Sequence, residues 1–67
     1  MKEETFYDYS GRRIGYTTLR GGDLYIYDNY GKMLGRYDGT YTYNYSGRRI
    51  GKGNLLVAFI AHNFNLN

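Results

Sequence analysis

The heptapeptide YSGRRIG occupies residues 9–15 of this 67-residue chain and returns at residues 45–51. Both copies belong to a longer unit. Tyr7-Asp8-Tyr9-Ser10-Gly11-Arg12-Arg13-Ile14-Gly15 aligns with Tyr43-Asn44-Tyr45-Ser46-Gly47-Arg48-Arg49-Ile50-Gly51, and a looser copy, Tyr27-Asp28-Asn29-Tyr30-Gly31-Lys32-Met33-Leu34-Gly35, lies between them. The units are therefore centred on residues 7–15, 27–35 and 43–51. Gly11, Gly31 and Gly47 are 20 and then 16 residues apart, whereas a solenoid holds one period. Uneven spacing of so constant a unit indicates hairpins joined by connections of variable length.

Each position of the unit has a physical reason. Asp8, Asp28 and Asn44 stand three residues before a glycine, where an Asx side chain opens a type I turn by accepting hydrogen bonds from the backbone ahead. Gly11, Gly31 and Gly47 supply the left-handed residue that closes a hairpin with a bulge. Ile14, Leu34 and Ile50 are expected to point into the core. The second glycine, Gly15, Gly35 or Gly51, removes a side chain where backbones or an aromatic ring come close.

Alternation supports strands on both sides of these turns. In Leu24-Tyr25-Ile26-Tyr27 the aliphatics share one face and the tyrosines the other, Phe6-Tyr7 repeats that phase, and tyrosines alternate again in Tyr41-Thr42-Tyr43. Arg20-Gly21-Gly22-Asp23 and Asp38-Gly39 read as turns between hairpins. Ten tyrosines, ten glycines and no proline fit half-buried sheet surfaces and tight turns. The expected fold is all-β: radiating hairpins in a small antiparallel, flower- or barrel-like assembly, forming a single domain over residues 1–67. Residues 55–64 differ from the rest. Asn54 is a good helix N-cap, and the apolar run behind it predicts a short C-terminal helix with Leu55, Ala58, Phe59 and His62 on one face and Leu56, Ile60 and Phe64 extending it. A buried strand is the alternative.

A chain of this size has a small core, and with no cysteine it has neither disulfides nor thiolate metal ligands. Self-association is the remaining common aid to stability, and Leu55, Leu56, Phe59, Ile60 and Phe64 are the expected interface. The longest apolar run, residues 55–61, is far short of the roughly 20 residues that span a bilayer. The charged opening Met1-Lys2-Glu3-Glu4 does not have the pattern of a signal peptide. The expectation is a cytoplasmic protein with no membrane partner.

Tandem copies of Tyr-Asp-x-x-Gly-Arg-x-Ile-Gly followed by an apolar C-terminal stretch resemble the small bacterial β-flower proteins of the four-fold type. The resemblance covers roughly residues 5–60. It implies hairpins set like petals about a common centre, an uncharacterised function and no catalytic residues; three copies are present here rather than four. A more distant likeness, carried by YIYDNYGKMLG, is to hairpin repeats that bind choline or glucan, but those rely on tryptophan, which is absent here.

Nine Lys and Arg against six Asp and Glu leave a net charge of +3. The pairs Arg12-Arg13 and Arg48-Arg49, with Lys32, Arg36, Lys52 and tyrosines such as Tyr25 and Tyr27, are candidate contacts for nucleic acid or glycan, although adjacent strand residues point to opposite faces and a pair cannot present both charges on one surface. Charge beside hairpin turns also keeps sheet edges soluble. The aspartates lack the alternating oxygen ligands of a calcium loop. Neither Ser10 nor Ser46 lies in a nucleophile turn that His62 could serve. No cofactor and no metal are expected. The sequence therefore predicts a non-enzymatic structural or protein-interaction module that self-associates, with a nucleic-acid- or glycan-binding module as the alternative.

Overall fold

The computed structural model describes residues 1–64, with side chains through Ala61. Six strands, β1 (Thr5–Tyr7), β2 (Arg13–Arg20), β3 (Asp23–Asp28), β4 (Met33–Tyr37), β5 (Tyr41–Asn44) and β6 (Arg49–Lys52), precede one helix, α1 (Val57–Phe64). The strands form a single open antiparallel sheet in the order β1-β2-β3-β4-β5-β6. The fold is mostly β with a short C-terminal helix, as the repeat and the apolar tail require.

The three units are the hairpins β1–β2, β3–β4 and β5–β6, and their turns are built alike. Asp8 Oδ1 accepts hydrogen bonds from the backbone N–H groups of Ser10 at 3.0 Å and Arg12 at 2.9 Å. Asp28 Oδ1 does the same for Tyr30 and Lys32, and Asn44 Oδ1 for Ser46 and Arg48. Gly11, Gly31 and Gly47 have φ of 89°, 83° and 87°, in the left-handed region that glycine enters without steric cost. The register slips by one residue at the same place in each hairpin. Phe6 faces Gly15 while Tyr7 faces Arg13; Ile26 faces Gly35 while Tyr27 faces Met33; Thr42 faces Gly51 while Tyr43 faces Arg49. The skipped residue is the unit's aliphatic, so Ile14, Leu34 and Ile50 each sit in a bulge.

Hydrogen bonds to an ionised carboxylate hold Asp8 below the ordinary carboxylate pKa. The Ser10 hydroxyl contributes most, then the Arg12 N–H. Asp38 is lowered by the Tyr41 and Thr40 N–H groups. A depressed pKa adds stability that is present above the unfolded value and is lost as pH falls through the folded one. Thermal stability is therefore expected to decline on acidification below about pH 4. Asp8→Asn should reduce that decline while keeping the turn, because Asn44 makes the same bonds with an amide oxygen. Melting temperature against pH for the two proteins checks this.

The helix lies across one face of the sheet. An eight-residue helix has no stability of its own in water; tertiary packing holds it. Asn54 Oδ1 accepts the Leu56 N–H at 3.1 Å, the N-cap role its position predicts. Leu56 and Ile60 are 1% and 2% exposed and complete a core with Ile14, Leu24, Ile26 and Leu34, against which Phe6, Tyr37 and Phe59 pack. Burying two such side chains contributes about 1.5–3 kcal/mol each.

Three expectations need correction. Leu56 and Ile60 are not a subunit interface: Leu56, just before α1, and Ile60, on its sheet-facing side, fill the chain's own core. The buried helical face runs through Leu56, Phe59 and Ile60, while Leu55 and Ala58 are exposed. Ile50 is 44% exposed instead of buried, because β6 is an edge strand with nothing beyond it. The expectations for the His62 and Phe64 side chains lie outside the described residues.

The second glycines are the seats of this helix. A methyl group at Gly35 would lie 2.6 Å from Phe59 Cε2 and 2.6 Å from the Tyr43 carbonyl oxygen. At Gly15 it would collide with Ile60 Cδ1 and approach the Tyr27 carbonyl oxygen to 2.7 Å. At Gly51 it would meet Leu55 Cδ1 at 2.6 Å. One glycine per hairpin thus receives one apolar side chain from the C-terminal segment. The Thr42 hydroxyl fastens the entry, donating to the Gly53 carbonyl at 2.6 Å and accepting the Leu55 N–H at 3.0 Å.

Candidate functional site: the tyrosine–arginine face

With the helix on one side, the other face of the sheet carries the tyrosines and cations. Directly opposed residues share a face, and the pairings draw a row across five strands: Thr18, Tyr25, Arg36, Tyr43 and Arg49. A second row runs Thr5, Tyr16, Tyr27 and Met33.

The rows are ordered by contacts between rings and guanidinium groups. Tyr16 and Tyr27 stack with centroids 5.3 Å apart and planes at 15°. The Arg36 guanidinium carbon lies 4.2 Å from the Tyr43 ring centroid, Arg49 lies 4.5 Å from Tyr41, Arg13 5.2 Å from Tyr16 and Arg20 5.9 Å from Tyr25. Such contacts contribute about 0.5–1 kcal/mol each where exposed. Arg36 also reaches Asp23 at 3.4 Å. The Tyr43 hydroxyl donates to Asp38 Oδ2 at 3.1 Å; desolvation, then that bond, raises its pKa above the ordinary phenol value. Tyr16, Tyr25, Tyr27, Tyr41 and Tyr43 are half-buried, so part of each ring stays open to solvent.

Among the sequence candidates, Tyr25, Tyr27 and Arg36 lie on this face. Arg12, Lys32 and Arg48 stand instead at the hairpin tips, exposed beside the exposed Tyr9, Tyr30 and Tyr45. Arg13 and Arg49, the other members of the two candidate pairs, stand on the face, with Tyr16 and Tyr43. Strand parity shows that the two members of a pair do not share a surface, but not which of them takes the face. The turn-forming residues Asp8, Gly11, Asp28, Gly31, Asn44 and Gly47 all stand at the tips, one set per hairpin.

Two recesses flank the sheet. One, of about 430 Å³, lies on the β1 side of the open face and is lined by Glu3, Glu4, Thr5, Arg13, Tyr16, Thr17 and Thr18. The other, of about 210 Å³, lies between β1 and the start of the helix, below the roughly 300 Å³ at which small-molecule pockets begin. Among the described residues no helix is long and apolar enough to cross a membrane. Comparison with family models, curated proteins and solved structures finds no match for the chain.

Proposed function

We propose that this chain is a small non-enzymatic binding module of the β-flower kind its repeat resembles, and that its open face takes single-stranded nucleic acid. The observation that carries this reading is the cross-strand alternation Tyr25–Arg36–Tyr43–Arg49 on an uncovered sheet face. Single strands bind where aromatic rings stack on bases and cations follow the phosphates. Tyrosines two strands apart are roughly 10 Å from each other, a spacing along which one chain can meet successive rings. The net charge of +3 favours a polyanion. Glu3 and Glu4 repel phosphate at the β1 end, so the strand's path lies over β3–β6. The sequence's leading expectation drew its contacts from exposed tyrosines and the apolar segment 55–64; Leu56 and Ile60 of that segment are buried inside the chain, and the tyrosines alternate with cations, which favours the runner-up.

A labelled single-stranded oligonucleotide, titrated at low and high salt, tests this. Binding is expected to weaken steeply with salt, and Arg36→Ala and Arg49→Ala should each lower the salt slope by about 1. Tyr43→Ala should weaken binding roughly tenfold, as the loss of one stacked base requires. Absence of salt-sensitive binding refutes the reading. Binding of a neutral glycan without salt dependence would replace the ligand class.

A further inference from the structure

The hairpins repeat a second feature besides their turns, namely the way one joins the next. Between the first and second, Gly15 stands opposite Asp28 and Tyr16 opposite Tyr27. Between the second and third, Gly35 stands opposite Asn44 and Arg36 opposite Tyr43. Each joint thus sets one unit's second glycine against the next unit's Asx residue, and the residue after that glycine against the tyrosine before the Asx. The third unit offers the same glycine, Gly51, and the first offers the same Asx, Asp8. Both lie at the outer edges of the sheet, on β6 and just past the end of β1.

Burial marks the missing neighbour. Ile14 and Leu34 belong to hairpins followed by another hairpin and are 5% and 8% exposed; Ile50 holds the same position in the hairpin with none after it and is 44% exposed. Tyr7, the counterpart of half-buried Tyr27 and Tyr43, is 61% exposed on the opposite edge. These edges also differ in charge. Arg49 and Lys52 lie on β6, and Asp8 follows directly on β1.

We propose that β6 of one copy pairs antiparallel with β1 of a second copy in the register the chain already uses twice, Gly51 opposite the second copy's Asp8 and Lys52 opposite its Tyr7. Lys52 beside that tyrosine repeats Arg36 beside Tyr43. The added hairpin covers Ile50 as the internal hairpins cover Ile14 and Leu34, and it satisfies backbone groups that an edge strand leaves unpaired. This register sets Lys52 diagonal to the second copy's Asp8, an opposite charge within the Debye length of about 8 Å, whereas β6 against β6 would set cations against cations. The contact joins two different surfaces, so it propagates until a ring closes or a filament grows. It uses the sheet's edges and holds or fails independently of nucleic-acid binding.

The chain has no cysteine, so introduced thiols report this contact alone. Antiparallel partners have Cα atoms roughly 4.5–5.5 Å apart, inside the roughly 4.4–6.8 Å that a disulfide bridges. Lys52→Cys and Tyr7→Cys chains, mixed under mild oxidation, are expected to form a disulfide with each other and not with themselves. The unsubstituted protein is expected to sediment as an oligomer. Ile50→Asp should weaken association at least tenfold while leaving the circular dichroism of the folded chain intact, since Ile50 is exposed in the single copy. Two results would overturn the proposal: Lys52→Cys chains cross-linking to one another as readily as to Tyr7→Cys chains, or an unsubstituted protein that stays monomeric at its highest soluble concentration.

Discussion

Gly35→Ala is expected to lower folding stability by about 3 kcal/mol, the upper end of the cost of over-packing a core. The added methyl meets two obstacles, the Phe59 ring and the Tyr43 carbonyl oxygen, each 2.6 Å away. The ring is held between sheet and helix, and the carbonyl belongs to a strand backbone, so neither yields cheaply. Gly35 lacks a positive φ, so the penalty is steric and not conformational. A chain of this size has about 3–5 kcal/mol of stability in total, so the variant should retain about 0–2 kcal/mol and unfold at a much lower urea concentration. Gly51→Ala provides the internal control. Its obstacle is the end of the Leu55 side chain, which is 38% exposed and free to swing away, so its expected cost is under about 1 kcal/mol, offset by the reduced entropy of the unfolded chain. Urea titration of the three proteins measures the difference. Equal costs at the two positions would contradict the helix seats described above.

Leu56→Ala is expected to cost about 2–5 kcal/mol, the range for emptying a buried leucine site, and so to unfold much of the protein. Leu55→Ala, one residue earlier, should cost under about 1 kcal/mol because Leu55 is partly exposed. The two neighbours separate the core role of the helix from an interface role. If Leu56 served a subunit contact, its truncation would release folded subunits, seen as smaller particles with an unchanged spectrum. Loss of the folded spectrum together with loss of size is the result expected here.

The turns were legible in the sequence because their chemistry is local. Asp8, Asp28 and Asn44 act on backbone groups two and four residues ahead, and a glycine three residues on settles the rest. The alternation of Leu24, Tyr25, Ile26 and Tyr27 was equally legible, since period two assigns faces without knowledge of the partner strand. The crowding at the second glycines was also readable, but what crowds them was not. That depends on the angle at which a helix some 20 residues or more beyond Gly15 and Gly35 crosses the sheet, and only the assembled fold sets that angle. The helix face was misplaced for the same reason. With every residue from 55 to 61 apolar, the periodicity does not choose between Leu55 and Leu56.

Which member of each arginine pair takes the face was not readable, because each hairpin carries two irregularities, one at the closing glycine and one at the aliphatic residue. Each extra residue reverses strand parity beyond it, so counting from the turn misassigns the faces. Thr42 gave no sign of its role. Its position, equivalent to Phe6 and Ile26, reads as a core site that became polar, and the hydroxyl's two partners, Gly53 and Leu55, become visible only when β6 leads the chain back under the sheet.

The most direct check on this architecture is a nuclear Overhauser spectrum of the intact protein in solution. Cross-peaks are expected from the Gly35 Hα protons to the Phe59 ring, from Gly15 Hα to the Ile60 δ-methyl group, and from Gly51 Hα to a Leu55 methyl group, with Gly35 Hα moved upfield by the ring above it. A spectrum in which the three glycines show strand contacts but none to the C-terminal segment would mean that the repeat builds a sheet and does not hold the helix.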